Sequence, residues 1–188
     1  MRNLNAIQWL TAEETRRLFS LIKDRRDAAL FRVGYHHGLR PSEVGKLRVE
    51  DVDFAANRIR ITRLKKGLGG VYVMPEPESK ALRSWIRHAG LRIGPLFPGR
   101  LGGSISRRTL DYLMKLYGEK AALPTDKRHF HCLRHSIATH MLEAGENIEV
   151  VQDWLGHQNI QNTQVYAKLT NTRRDSAARD REDRMPRV

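Results

Sequence analysis

Two arginines, two histidines and a tyrosine are spaced along this chain in a way that could attack a phosphodiester with a protein side chain. They are Arg40, the run His131-Cys132-Leu133-Arg134, His157 directly after Leu155-Gly156, and Tyr166 nine residues further on. A phosphodiester in transfer gathers negative charge on its non-bridging oxygens, and planar guanidinium groups donate paired hydrogen bonds to such oxygens. Arg40 follows Gly38 at the start of a helix, where backbone amides also favour an anion, and Arg134 falls in the first turn of a later helix. His131, one turn before Arg134, is placed to donate to the same phosphate or to exchange a proton with the nucleophile. A glycine at 156 lets the chain turn and project His157, and the interval to Tyr166 allows a return to the same pocket. A phenol ordinarily ionises near pH ~10, so a tyrosine nucleophile needs cations close by to stabilise the phenolate as it forms.

Taken singly, each of these residues has a plainer reading. An arginine in so basic a chain meets solvent or backbone, and a tyrosine in Gln-Val-Tyr-Ala-Lys packs or makes one surface hydrogen bond; the joint pattern lifts them. His129, His131, Cys132, His135 and His140 raise the question of a metal, but a structural zinc site takes four ligands, and one cysteine without a second cluster does not supply them. No metal is expected, and His135 reads as a packed or capping histidine. No glycine-rich strand-to-helix loop of Walker or dinucleotide type occurs, so no nucleotide cofactor is expected either.

The elements that must carry these residues are mostly helical. Thr11-Ala12-Glu13-Glu14 has capping-box spacing and opens a helix to about residue 23, with Leu18, Phe19, Leu21 and Ile22 as its apolar stripe. A second helix runs from about Arg26 to His37 and stops at Gly38; Pro41 suits the first turn of a short third. From Asn57 the period becomes two, Ile59 and Ile61 alternating with Arg58 and Arg60, and Val71-Tyr72-Val73 returns across a KKGLGG hairpin loop. Helices follow over Ser79 to Ala89 (Leu82, Trp85, Ile86 and Ala89 on one face), Ser106 to Ala122 (Leu110, Leu113, Met114, Tyr117), about 132 to 144 (Leu133, Ile137, Met141) and about 148 to 155 (Ile148, Val151, Leu155). Gly156 ends the last, and Tyr166 falls on a short helix or turn. The expected class is mostly α with one small antiparallel sheet (α+β).

The 188 residues suit one domain with a short appendage. Thirty-four Lys and Arg against 21 Asp and Glu leave a net charge of +13, which favours a polyanionic partner, nucleic acid first and an acidic membrane surface second. The lone Cys132 excludes an internal disulfide and fits a reducing cytoplasm. No segment approaches the about 20 apolar residues of a membrane span, so a soluble cytoplasmic protein is expected. Residues 171–188 break the pattern, with arginines mixed among acids and few apolar groups, and read as a solvated polar tail.

Three boxes carry a resemblance. HGLRPSEVGKLRVEDVDF, HCLRHSIATHMLEAG and WLGHQNIQNTQVYAKL, in that order, resemble the first-arginine box, the His-x-x-Arg box and the Leu-Gly-His box with its following tyrosine in the tyrosine recombinases, or phage-type integrases. The resemblance covers about residues 9–170 and implies that family's catalytic-domain fold over residues 1–170. It implies that Arg40, His131, Arg134 and His157 bind and activate the scissile phosphate. Tyr166 would attack it to leave a 3′-phosphotyrosyl link and a free 5′-hydroxyl, without metal or nucleotide. Glu43 matches an acidic position that supports the site's hydrogen bonding. A hairpin-loop lysine, Lys66 with Lys65 as the alternative, would protonate the leaving oxygen; Lys65, Arg63 and Arg128 would contact DNA.

The family implies double-stranded DNA as partner, a homotetramer on it and accessory DNA-bending proteins. Little sequence precedes the boxes where family members commonly carry an N-terminal core-binding domain, and in this the chain resembles the short fimbrial phase-variation invertases. Integration, excision and inversion stay open. So do two other functions: DNA relaxation of the type IB topoisomerase kind, and non-catalytic DNA binding by a regulator.

Overall fold

A computed structural model describes residues 7–64, 69–100 and 102–167. The element order is α1 (Ala12–Leu21), α2 (Arg25–His36), α3 (Pro41–Val44), β1 (Val52–Asp53), β2 (Arg58–Ile61), β3 (Gly70–Val73), α4 (Glu76–Ala89), α5 (Arg107–Lys120), α6 (His131–Glu143), α7 (Ile148–Leu155) and α8 (Gln161–Ala167). Short 3-10 turns sit at Val49–Asp51 and Thr125–Lys127. This is the mostly helical architecture with a small antiparallel sheet that the periodicities predict.

The Thr11 capping box forms as expected, the Thr11 hydroxyl accepting from the Glu14 amide and the Glu14 carboxylate accepting from the Thr11 amide. Leu18 and Ile22 are buried, whereas Leu21 is 37% exposed and stands off the predicted stripe. Helix α4 begins at Glu76 rather than Ser79 because Pro77 lies in its first turn, where the missing N–H is not needed. At its other end Ala89 is exposed, leaving Leu82, Trp85 and Ile86 to pack.

The sheet has three strands in the order β1-β2-β3, all antiparallel. Ile59 and Ile61 face inward as the alternation predicts, and on the opposite face Arg58 pairs with Val73 and Arg60 with Val71. Strand β1 is absent from the sequence expectation, since two residues leave no period to detect.

The larger core gathers residues from α1 to α6, with Phe31 edge-on to both Tyr117 and Phe130. A smaller core joins Ala138 and Leu142 of α6 to Val151 and Leu155 of α7 and Tyr166 of α8. Helix α6 thus runs between two cores and is buried on several sides: Cys132, Leu133, Ser136, Ala138, Thr139 and Leu142 are all enclosed, while Ile137 and Met141, expected on one face with Leu133, pack partly on the smaller cluster.

At the end of α2, His36 and His37 both bond the buried carboxylate of Glu78 at 2.8 Å, which ties this end to α4. Trp154 of α7 stacks on His37 and donates to the His36 carbonyl at 2.7 Å. The Gly38-Leu39-Arg40 turn is therefore anchored from two sides. Among the described residues no helix is long and apolar enough to cross a membrane.

Candidate active site

Arg40 is the N-cap of α3, with Pro41 pre-set for the first helical position. Glu43, one turn on, is buried, and its carboxylate accepts four hydrogen bonds. The donors are the Arg40 amide (2.9 Å), Arg40 Nη1 (2.7 Å), Arg63 Nη1 (3.1 Å) and the Leu64 amide (3.2 Å). One carboxylate thereby joins the arginine turn to the segment entering the β2–β3 hairpin loop. Burial acts to raise the pKa of Glu43, but the Arg40 amide and the charges of Arg63 and Arg40 outweigh it and hold the group below the usual carboxylate range.

Arg134, in the first turn of α6, is 1% exposed. Its Nη1 donates to the Gly38 carbonyl, and its Nη2 to the Leu155 carbonyl at 2.9 Å and to Nε2 of His157 at 2.7 Å. Three of the five guanidinium N–H groups are thus used to place the side chain, which leaves two for a ligand. Gly38 makes this possible: its φ is +55°, and a Cβ there would stand 2.5 Å from a Leu155 methyl. Burial, and then the charge of Arg40, lower the pKa of Arg134 to about 10.

A guanidinium only donates, so Nε2 of His157 is an acceptor and the ring proton sits on Nδ1, which donates to Thr163 Oγ1 at 2.9 Å. Burial and the charges of Arg134, Arg40 and Arg63 depress the His157 pKa to about 3. His131 opens α6 and is likewise held down, to about 4, by burial and by Arg134, His129, Arg40 and Arg107. The fields of Arg40 and Arg134 therefore overlap at both histidines. Tyr166, on α8, is 3% exposed, and its hydroxyl lies 2.9 Å from Nδ1 of His135.

Four of the six residues expected to react, Arg40, His131, Arg134 and His157, thus share one electrostatic environment, and α8 brings Tyr166 to the same end of α6. Lys65 and Lys66 lie outside the described residues, as do residues 171–188. Arg63 does not match its expected contact with DNA. Its side chain is fully buried, bonded to Glu43, to the His37 carbonyl (2.8 Å) and to the Trp154 carbonyl (2.6 Å), and it lies over the Tyr72 ring. Arg128 is half-buried, packing its stem against Gly118 and donating Nε to the Leu123 carbonyl at 2.8 Å.

Three participants have no sequence signal beyond their type: Arg63 as an internal strut, Thr163 as the partner of His157, and His135 as the partner of Tyr166. Cys132 is buried and donates to the Gln8 carbonyl, and burial raises its thiol to about 12. Among the described residues no three His, Cys, Asp or Glu side chains converge as metal ligands. Beside the site, Arg107, Arg108 and Lys115 of α5 line a surface concavity of about 580 Å³ with Asp111 and Tyr112, and Arg107 is near enough to act on His131.

The sequence profile of the Phage integrase family matches residues 8–173. Tyrosine recombinase XerC of Actinobacillus pleuropneumoniae serotype 7 is 37% identical over 152 residues, which cover 78% of this chain and 48% of that protein. Tyrosine recombinase XerA of Thermococcus kodakarensis is 35% identical over 166 residues, 86% of this chain and 58% of the relative. A crystal structure of XerA recombinase superposes with a TM-score of 0.78 at 26% identity, covering 96% of this chain and 66% of that one. XerH site-specific recombinase bound to its difH substrate shares the fold, with a TM-score of 0.78 at 21% identity over 92% of this chain and 53% of that one. The chain spans about half the length of the curated relatives it matches.

Proposed function

The chain belongs to the phage integrase family, and on that premise we propose that it is a site-specific DNA recombinase that cuts and rejoins double-stranded DNA through Tyr166. The observation that carries this reading is that Arg134 of α6 bonds the carbonyl of Gly38, two residues before Arg40, and the ring of His157 beyond α7, so that segments far apart in sequence meet at one guanidinium. Two guanidinium groups held by Glu43, Gly38 and Leu155 form a clamp suited to the non-bridging oxygens of one phosphate.

In the forward step the Tyr166 oxygen bonds to phosphorus as the bond to the 5′-oxygen breaks, giving a 3′-phosphotyrosyl link. The phenolic proton leaves to a base, and the 5′-oxygen takes a proton from Lys66, or from Lys65. Rejoining reverses each transfer, and because the link conserves the phosphodiester's energy, no nucleotide is consumed. His131 faces the clamp as a neutral group able to donate to a phosphate oxygen. With both ring nitrogens already bonded, His157 serves to orient Arg134.

Arg107, Arg108 and Lys115 offer a basic surface next to the site for the flanking backbone, with Arg128 as a further contact. Strand exchange calls for a homotetramer on DNA, helped by accessory DNA-bending proteins, in the cytoplasm where such DNA lies. The relatives named above are Xer recombinases rather than fimbrial invertases, so the finer likeness to the invertases does not follow from them.

The test is covalent capture. The protein is incubated with a randomised pool of nicked duplexes, and complexes that survive denaturation are isolated and their DNA sequenced. An adduct formed by the wild type and lost in Tyr166→Phe, with DNA binding retained, supports the reading. No adduct from the pool, or one that persists in Tyr166→Phe, overturns it. Relaxation of supercoiled plasmid regardless of sequence would assign the topoisomerase activity instead.

A further inference from the structure

The hydroxyl of Tyr166 is a buried polar group with a neighbour that the phosphate clamp does not use. His135 follows Arg134 on α6, so its side chain is rotated about 100° around the helix from the clamp. It points to α8, where its Nδ1 lies 2.9 Å from the Tyr166 oxygen with the rings tilted at 48°. His131, one turn earlier, meets the His135 ring edge-on at a centroid distance of 4.6 Å. Resting on the recombinase reading above, we propose that His135 is the base that accepts the phenolic proton of Tyr166 as the tyrosine attacks phosphorus.

With His135 neutral and its proton on Nε2, the Tyr166 hydroxyl donates to the Nδ1 lone pair. As the Tyr166 oxygen bonds to phosphorus, the O–H bond breaks and its proton passes to Nδ1, giving an imidazolium. The leaving 5′-oxygen takes a separate proton from the hairpin lysine. In the reverse step the imidazolium returns its proton to the phenolate oxygen.

The groups facing His135 set when this can happen. Burial and the charges of His131, His129 and Arg134 hold its pKa down to about 3, so it does not ionise the tyrosine unaided. A phosphate bound by Arg134 brings negative charge that offsets the field of that guanidinium at His135, and the basicity of His135 then rises. Proton transfer is thereby coupled to occupation of the clamp, and the tyrosine stays a neutral phenol until a phosphate is in place. His157 cannot serve in this role, because its Nε2 accepts from Arg134 and its Nδ1 donates to Thr163.

His135→Asn separates taking a proton from holding the hydroxyl, since the amide oxygen accepts a hydrogen bond but is not protonated at these pH values. Single-turnover cleavage is measured on a nicked duplex recovered from the randomised pool. A second version of the duplex carries sulfur in place of the bridging 5′-oxygen, and its leaving thiolate needs no proton. The expected result is normal folding and DNA binding with cleavage slowed about 100-fold on both duplexes, the range general-base removal produces. Cleavage by His135→Asn within a few-fold of wild type overturns the proposal, because holding would then suffice. Rescue confined to the sulfur duplex also overturns it, by moving the proton transfer to the leaving group.

If the asparagine variant does not fold, His135→Gln is read by the same criteria. The wild type anchors the comparison. A wild-type adduct with an unaffected variant leaves the recombinase reading intact and removes only His135 as base; absence of a wild-type adduct removes both.

Discussion

Nη2 of Arg134 stands 2.7 Å from Nε2 of His157, and that contact decides the protonation of the histidine. The imidazole must accept, so it is neutral and directs its one N–H at Thr163, which is completely buried on α8. The arginine, the histidine and the helix that carries Tyr166 are joined in one chain of hydrogen bonds.

Thr163→Val tests that chain. The valine keeps the shape but leaves a buried ring N–H without a partner, which costs about 1–3 kcal/mol. Urea unfolding should report that loss, and cleavage of a nicked duplex should slow because Arg134 loses its orienting partner. Thr163→Ser should restore both.

Stability should fall in mild acid. His131, His135 and His157 have folded pKa values of about 4, 3 and 3, against an ordinary 6.5. Below pH 6.5 the unfolded chain takes up protons that the folded chain refuses, so the unfolded state binds more protons and stability rises with pH from about 4 to about 6.5. Above that window both states are neutral at these residues, and they contribute no slope. Urea midpoints across the range should show this rise, and His157→Gln should make it shallower, His131 and His135 still contributing; an unchanged slope in that variant would refute the assignment of His157.

Glu43→Gln should be among the most destabilising single changes at the site. It removes the charge that Arg40 and Arg63 share in a buried setting, and breaking such a pair costs about 3–5 kcal/mol. The loss should appear in urea unfolding. Because the carboxylate also holds the Leu64 amide, the β2–β3 hairpin should become more open to limited proteolysis in the variant.

Arg63→Met distinguishes an internal strut from a DNA contact. If Arg63 is the strut that its bonds to Glu43, His37 and Trp154 describe, the variant loses stability while the dependence of DNA binding on salt keeps its slope. Arg40→Ala should instead reduce the slope by about 1, as loss of one phosphate contact does. Filter binding of random duplex DNA over a salt series measures both.

The parts of this molecule that could be read from its residues are those set by local chemistry. Thr11 with Glu14 marks a helix start because the cap is a short-range hydrogen bond, and Ile59 with Ile61 marks a strand because the side-chain period is two. The clamp arginines were legible through the spacing of their boxes. Arg63 was not: the alternating pattern places its backbone, but burial of its guanidinium depends on the accepting carbonyls of His37, just past α2, and of Trp154 in α7. His135 was not legible as a partner of Tyr166 either, since the contact exists only once α8 packs against α6.

As the nucleophile, Tyr166 becomes covalently joined to DNA through a 3′-phosphate, and that bond can be mapped. Adducts captured from nicked duplexes are digested with trypsin and nuclease, and the modified peptide is sequenced by mass spectrometry. A nucleotide linked by its 3′-phosphate to the Tyr166 side chain is expected. A 5′-phosphate linkage, or attachment to any other residue, would contradict it.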